Sequence, residues 1–272
     1  MRRSGRPDPG PYPYLDNADA AGRYRPIAFS HRGFAPDGDE NTLAAFERAV
    51  DLGYGYLEVD VQVSADGVVM VFHDDTLERV TTATGPVASR TAAELGALTI
   101  NGLGGIPTLE QVLLRWPTFR LNVDVKGDDC VRPFAELINR LRAHERVLVA
   151  SFSDRRRRKV LRLLDRPTAS SAGMLVNALL VLAVPLGLTH VVAMLAKVQA
   201  VQVPETYRGI RVVTRRFVSS CHAAALQVHV WTINERADMD RLLDLGVDGL
   251  VSDAGDVLAG CMADRQAWPQ NV

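Results

Sequence analysis

Short β-branched and apolar runs recur eight times along this chain, with helical stretches between most of them. They occupy residues 26–30, 56–63, 120–126, 147–152, 168–171, 200–203, 227–232 and 249–252. Strands alternating with helices are the pattern of a parallel α/β fold. The helices show in their spacing. Residues 41–52 carry Leu43, Ala44, Phe46, Ala49 and Val50 on one stripe. Residues 131–143 do so with Phe134, Leu137, Ile138 and Leu141, and residues 235–245 with Met239, Leu242 and Leu243. Eight strand–helix units close naturally into a (β/α)8 barrel of TIM type. An open doubly wound sheet is the alternative, but no GxGxxG follows the first strand. The length of 272 residues suits one barrel domain. A content of 47 % hydrophobic and 23 % charged residues fits a folded globule.

One element breaks the alternation. Ala65-Asp66-Gly67 follows the second strand, and then comes the apolar run 68–73. Asp-Gly between apolar runs signals a β-hairpin. With Asp66-Gly67 as a two-residue turn, Asp60 sits opposite His73; a slip of one residue keeps the imidazole near Glu58 and Asp60.

Pro7, Pro9, Gly10, Pro11 and Pro13 suggest a loose, flexible arm over residues 1–25. The barrel domain is expected over 26–262 and a C-terminal tail over 263–272. Met1-Arg2-Arg3 has no apolar run behind it, so a cytoplasmic protein without signal peptide is expected. The apolar stretch 174–196 is long enough to tempt a transmembrane reading, but Asn177, Pro185, Gly187, Thr189 and His190 interrupt it. Two shorter helices broken at Pro185-Leu186-Gly187 are expected, with a surface that dips into lipid as a further option. Cys130, Cys221 and Cys261 are scattered and odd in number, which argues against a disulfide framework or a thiolate zinc site. A net charge of −1 gives no global field toward nucleic acid. The run Arg155, Arg156, Arg157, Arg158, Lys159 reads as a solvated helix face.

Chemistry concentrates near the ends of the first three strands. Glu58 and Asp60 are two apart on a strand and share a face. Val59 and Val61 claim the helix-facing side, so the carboxylates point into the barrel. Two carboxylates there call for a positive partner, and a hard cation such as Mg²⁺ or Ca²⁺ suits oxygen ligands. Asp124 and Lys126 repeat the pattern on the next barrel strand. Asp124 can complete a metal shell and Lys126 can neutralise a phosphate oxygen; a buried structural Asp–Lys pair is the alternative. His31 and Arg32 end the first strand, and His73 returns on the hairpin. Two imidazoles flanking a metal and a guanidinium make an acid–base pair for phosphoryl transfer. Glu40 can steer His31 or Arg32, while Asn41 or Thr42 can simply cap the first helix. Trp231 is either packing or a substrate wall. His222 and His229 read as structural or exposed.

The ordered set His31-Arg32-Gly33, Glu40-Asn41-Thr42, Glu58-x-Asp60, His73-Asp74 and Asp124-x-Lys126 resembles the glycerophosphodiester phosphodiesterase family. Val230-Trp231-Thr232-Ile233-Asn234 and the segment 246–253 look like that family's closing strands, so the likeness runs from about Ile27 to Leu258. It implies a barrel related to the phosphatidylinositol-specific phospholipases, one divalent cation, and hydrolysis to glycerol 3-phosphate and an alcohol. By position it implies Glu58 and Asp60 as the metal pair, His31 and His73 as the catalytic histidines, and Arg32 and Lys126 as phosphate contacts. Asp124 stands where the family usually has Glu, one methylene longer, and Ser252 where Thr is common. The short linker before residues 108–117 leaves no room for the larger insertion that some members carry. Two rival readings stay open. One is a lysophospholipase D whose apolar 174–196 region guides lipid, with peripheral membrane contact. The other is a non-catalytic barrel that binds phosphodiesters. No extended basic stripe with aromatics supports a nucleic-acid partner, and oligomeric state is not legible.

Overall fold

The structure is a computed structural model that describes residues 10–18 and 22–270. Eight parallel strands form the expected barrel. They are β1 (Ile27–His31), β2 (Tyr56–Val63), β4 (Arg120–Val125), β5 (Val147–Ala150), β6 (Ala169–Ser170), β7 (Ala200–Pro204), β10 (Gln227–Trp231) and β11 (Gly249–Ser252). Their order is β6-β5-β4-β2-β1-β11-β10-β7. The ring closes through a parallel bridge from Ser171 to Ala200 and through Gln199 N–H donating to Ser170 O at 3.1 Å. Two-stranded β8 (Thr206–Tyr207) and β9 (Ile210–Arg211) form a separate hairpin.

Side-chain alternation sorts each strand. Leu57, Val59, Val61 and Val63 of β2 join the layer between barrel and helices, as do Leu121, Val123 and Val125 of β4. Ile27, Phe29, Tyr56, Leu148, Ala150, Ala169, Ala200 and Val251 fill the barrel axis. The outer layer is α1 (Leu43–Leu52), α3 (Leu109–Arg115), α4 (Val131–Leu141), α5 (Asp154–Leu163), α6 (Met174–Ala183), α7 (Thr189–Ala196), α8 (Arg215–Ala223), α9 (Arg236–Leu245) and α10 (Gly255–Asp264). A short helix α2 (Ala92–Gly96) belongs to the segment after the hairpin, where Met70, Phe72, Leu77, Val80, Leu95 and Ile100 make a small core of their own.

Four expectations differ from what is found. The hairpin strand is β3 (Val69–Val71), and it pairs Val63 with Val69 and Gln62 with Met70. The turn therefore holds three residues, with Gly67 at φ +81° closing it, and Asp60 faces Phe72 rather than His73. Several strands end one or two residues earlier than their apolar runs, because the ladder stops where the loops diverge. The arm is not loose in its described part. Tyr14 and Leu15, on a 3-10 turn over Pro13–Leu15, are buried against the axial cluster and plug that end of the barrel. The basic run on α5 is not wholly solvated either. Arg157 is fully buried and donates to Ser170 Oγ and to the carbonyl of Ala196 at the end of α7. The 174–196 stretch does break into α6 and α7 around Val184–Leu186. Among the described residues no helix is long and apolar enough to cross a membrane.

Candidate active site

The inward positions of β2 and β4 carry the charge. Glu58 and Asp60 are nearly fully buried and line a cavity of about 540 Å³ together with His31, Arg32, His73, Asn122, Asp124 and Lys126. Most of these residues sit at or just past the C-terminal ends of barrel strands, the face on which such barrels hold their sites. β2 and β4 pair Glu58 with Asn122 and Asp60 with Asp124, so adjacent strands stack their polar groups side by side.

Lys126 Nζ lies 2.8 Å from Asp60 Oδ1 and 2.7 Å from Asp124 Oδ2. Arg32 Nε lies 3.0 Å from Asp60 Oδ2, and Asn41 Nδ2 donates to the same oxygen at 3.2 Å. Burial alone would raise the Asp60 carboxyl, but Lys126 and Arg32 hold it below the usual range. Lys126 is likewise raised despite burial, because two carboxylates embrace it. Asp124 stays raised, since burial outweighs its contact with Lys126. Glu58 differs most: burial and the charge on Asp60 push it up to about 8. Its Oε2 accepts no hydrogen bond, and neither do Asp124 Oδ1, Asn41 Oδ1 and Asn122 Oδ1, all buried. Unpaired buried oxygens are costly and invite a cation.

This donor set fits a hard divalent ion, with one qualification that the structure imposes. Lys126 stands between Asp60 and Asp124, and among the described residues no three His, Cys, Asp or Glu side chains are gathered as a ready cage. The unpaired Asp124 Oδ1 and the amide oxygens of Asn41 and Asn122 are therefore the groups left to complete a shell around Glu58 and Asp60.

Each histidine rests on a carboxylate. His31 Nδ1 is 2.5 Å from Asp253 Oδ1, and His73 Nδ1 is 2.5 Å from Asp74 Oδ1. An ionised carboxylate only accepts, so Nδ1 carries a proton in both rings and Nε2 is left to work. His31 Nε2 lies 3.8 Å from Glu58 Oε2. Burial would lower the His31 imidazole, yet the hydrogen bond it donates to Asp253 and the charge on Glu58 leave it raised. Asn234 Nδ2 steadies Asp253 at Oδ2, 3.1 Å away.

A second chain of charges ties the two histidines' surroundings together. Arg32 Nη1 meets Glu40 Oε1 at 3.0 Å. Arg79 Nη2 meets the same oxygen at 2.6 Å, and Arg79 Nε meets Asp74 Oδ2 at 2.5 Å. Glu40 thus holds Arg32 in place, and Thr42 rather than Asn41 caps α1. Arg32 itself has φ +55°, and Gly33 has φ +84°. A Cβ on Gly33 would come 2.8 Å from the Ala45 backbone, so only glycine lets this loop lie against α1.

Trp231 lines the cavity and meets Phe152 edge-on, with ring centroids 6.0 Å apart. The same cavity runs out past Met174, Val181, Leu182, Ile210 and Val212, an apolar half opposite the charged one. His229 is buried beside Gln227, and His222 pairs with Asp248; both lie away from the cavity lining. Sequence patterning assigns no role to Asp253, Asp74, Arg79 or Asn234, although Asp74, Asn234 and Asp253 stand in the segments that carry the family likeness. Asp253 directly follows the last barrel strand and Asp74 follows His73, positions from which both were findable. Arg79 lies in the irregular segment after β3 and offered no such sign.

Asp253→Asn tests the role of this contact. It keeps the shape and removes the anion, so the His31 imidazole loses its main upward influence and titrates lower. If His31 is the base, the acidic limb of the kcat/KM profile moves to lower pH and kcat falls about tenfold or more. An unmoved profile would mean that Asp253 only packs.

The pattern of the glycerophosphoryl diester phosphodiesterase family matches residues 31–257. A probable glycerophosphodiester phosphodiesterase 2 of Mycobacterium tuberculosis is 38 % identical over 244 residues, 89 % of this chain and 92 % of that protein. A human lysophospholipase D is 24 % identical, covering 89 % of this chain and 88 % of its own. In fold, the chain resembles a phosphodiesterase of Oleispira antarctica with a TM-score of 0.73 at 23 % identity, over 88 % of this chain and 97 % of the other.

Proposed function

This chain belongs to the glycerophosphoryl diester phosphodiesterase family, and on that premise we propose that it hydrolyses glycerophosphodiesters to glycerol 3-phosphate and an alcohol with the help of one divalent cation. The observation that carries this is the placing of His31 and His73, each with Nδ1 on a carboxylate, beside the Glu58, Asp60, Arg32 and Lys126 cluster in one cavity. The Oleispira antarctica phosphodiesterase was solved in complex with the product sn-glycerol-3-phosphate, which agrees in product.

Glu58 and Asp60 would hold the cation, with Asp124 as the third acidic group; when bound, Mg²⁺ or Ca²⁺ supplies Lewis-acid polarisation of a phosphate oxygen. The remaining work falls to the chain's own groups. Arg32 and Lys126 are fixed cations against the phosphate charge, held in place by Glu40, Asp60 and Asp124 before substrate arrives. His31 Nε2 takes the proton of the attacking group, either a water or the neighbouring glycerol hydroxyl, the latter giving a cyclic phosphate that a water then opens to glycerol 3-phosphate. His73 Nε2 returns a proton to the leaving alkoxide. Trp231 forms one wall for the organic part of the substrate.

A panel of glycerophosphocholine, glycerophosphoethanolamine and lysophosphatidylcholine, assayed with each cation and with chelator, tests this. Glycerol 3-phosphate release from the two deacylated substrates, and lysophosphatidate from any lysophosphatidylcholine cleaved, is expected, lost by about a hundredfold or more on chelation and restored by one ion. Binding without cleavage under every cation would instead identify a non-catalytic phosphodiester-binding barrel. The apolar half of the cavity favours one second reading, a lysophospholipase D. Faster cleavage of lysophosphatidylcholine than of glycerophosphocholine would establish it.

A further inference from the structure

Helix α6 is apolar on its outer face as well as its inner one, its single polar residue Asn177 turning to the cavity. It buries Val176, Leu180 and Ala183 in the core and still exposes Met174, Leu175, Leu179 and Leu182. Helix α7 also exposes apolar side chains, with Ala193 and Ala196 inside and Val191, Met194 and Leu195 outside beside one exposed polar residue, His190. Leu186, in the turn between them, is 69 % exposed and Leu195 is 73 % exposed. No Asp, Glu, Lys or Arg occurs between Arg166 and Lys197. A water-facing helix ordinarily turns a polar side outward, and large exposed apolar patches mark interaction surfaces.

Two further features say what covers this face. The first is charge. Arg208, Arg215 and Arg216 are exposed on the neighbouring hairpin and α8, and none pairs with a carboxylate among the described residues. Arg216 Nη2 donates to the Pro185 carbonyl at 3.3 Å, which puts that guanidinium at the edge of the apolar patch. Arg208 lies over the Tyr207 ring, 5.5 Å from its centroid. Leucines flanked by unpaired arginines are the composition of a surface that sinks into an anionic lipid interface. The second is continuity with the cavity. Met174, Leu182, Tyr207 and Ile210 are exposed and also line its mouth. A second copy seated here would cover the substrate's way in. A bilayer seated here would face that opening.

We propose that the face made by α6, the 184–186 turn, α7 and the β8–β9 hairpin docks on an anionic bilayer surface, with the active-site cavity opening at the lipid. The helices hold 10 and 8 residues, too short to span, so the protein lies on the membrane rather than through it. The consequence for catalysis rests on the hydrolytic reading above: substrate is taken from the interface, its glycerophosphate toward Lys126 and its apolar part along α6. The docking itself does not depend on that reading.

Flotation of the full chain with vesicles tests it, using phosphatidylcholine alone and equal parts phosphatidylcholine and phosphatidylglycerol. Binding is expected on the mixed vesicles, weaker on phosphatidylcholine and weaker at high salt. The double variant L186Q/L195Q is expected to lose at least about tenfold in partitioning, from lost apolar insertion. R208E/R215E should lose about as much on mixed vesicles only. Neither pair lines the cavity, so both should cleave glycerophosphocholine like the parent chain. Failure of the parent to float with either vesicle overturns the proposal, as does unchanged flotation of both variants. A concentration-dependent dimer that L186Q/L195Q dissolves, without vesicle binding, also overturns it and assigns the face to a second copy. Flotation without any phosphodiester cleavage leaves docking standing and refutes the hydrolytic reading; cleavage without flotation does the reverse.

Discussion

His31→Ala and His73→Ala are each expected to lower kcat by about 10²–10⁴ while the fold survives, because each removes one proton-transfer group from the cavity. The side chains are 18 % and 33 % exposed, so neither truncation opens a void in the core. Their carboxylate partners keep other company. Asp74 retains Arg79, and Asp253 retains Asn234, so neither is stranded in a dry environment. Loss of activity with an unchanged circular dichroism spectrum and a Tm within a few degrees is the expected result. The double variant should be little worse than either single one, as groups that serve one transition state do not add. Turnover within a few-fold of the parent, in either single variant, would remove that histidine from the mechanism.

Glu58→Gln is expected to stabilise the chelated protein at pH 8 and to cut turnover by about 10²–10³. Burial and the Asp60 charge push the Glu58 carboxyl up to about 8, whereas in an unfolded chain it ionises near 4.5. Between those values the folded state holds a proton that the unfolded state has released. Folding therefore weakens as pH rises from about 4.5 through about 8, and the full contribution is present only below that window. Glutamine has no such proton, so the variant should show a flatter dependence. Its Tm advantage should be absent near pH 4 and greatest above pH 8, at about 2–4 °C for each kcal/mol relieved. An excess of the activating cation should recover the parent's stability by binding the ionised pair, and should do less for the variant. Parallel Tm curves for the two proteins from pH 4 to 9 in chelator would show that Glu58 is not a strained carboxylate.

Docking and catalysis meet in one stretch of sequence. Residues 174–196 read as a possible membrane span because apolar residues fill both faces of α6. The inward face packs on the barrel, and among the described residues no element covers the outward leucines. The same residues that defeat a simple soluble-helix pattern thus form the cavity rim and the proposed lipid face.

Much of the site was readable before any coordinates. Strand periodicity put Glu58 and Asp60 on one face, and Asp124 and Lys126 likewise, because alternate side chains on a strand must point together. β2 runs over the very residues its apolar alternation marks, Tyr56–Val63. Pro185 and Gly187 ended one helix before the next began, since proline blocks helix continuation and Gly187 takes φ +68°. What escaped were the carboxylate and arginine partners brought in from distant positions. His31 meets Asp253 from 222 positions away, and Arg79 meets Glu40 from 39. The arginine inside a basic run, Arg157, turned inward because carbonyls of another helix's last turn stood waiting for donors. The hairpin shifted by one pair because three residues, not two, make its turn.

By itself, then, the order of residues determined which elements form, which of their faces look toward the axis, and which chemical groups stand at the strand ends. Those are local consequences of pleat and helical pitch. Only the closed barrel decided that Lys126 sits between two carboxylates, that each imidazole leans on an acid, and that Tyr14 plugs the far end. Such contacts join distant parts of the chain, and their distances depend on how the strands are ordered and staggered around the ring, which no local pattern encodes.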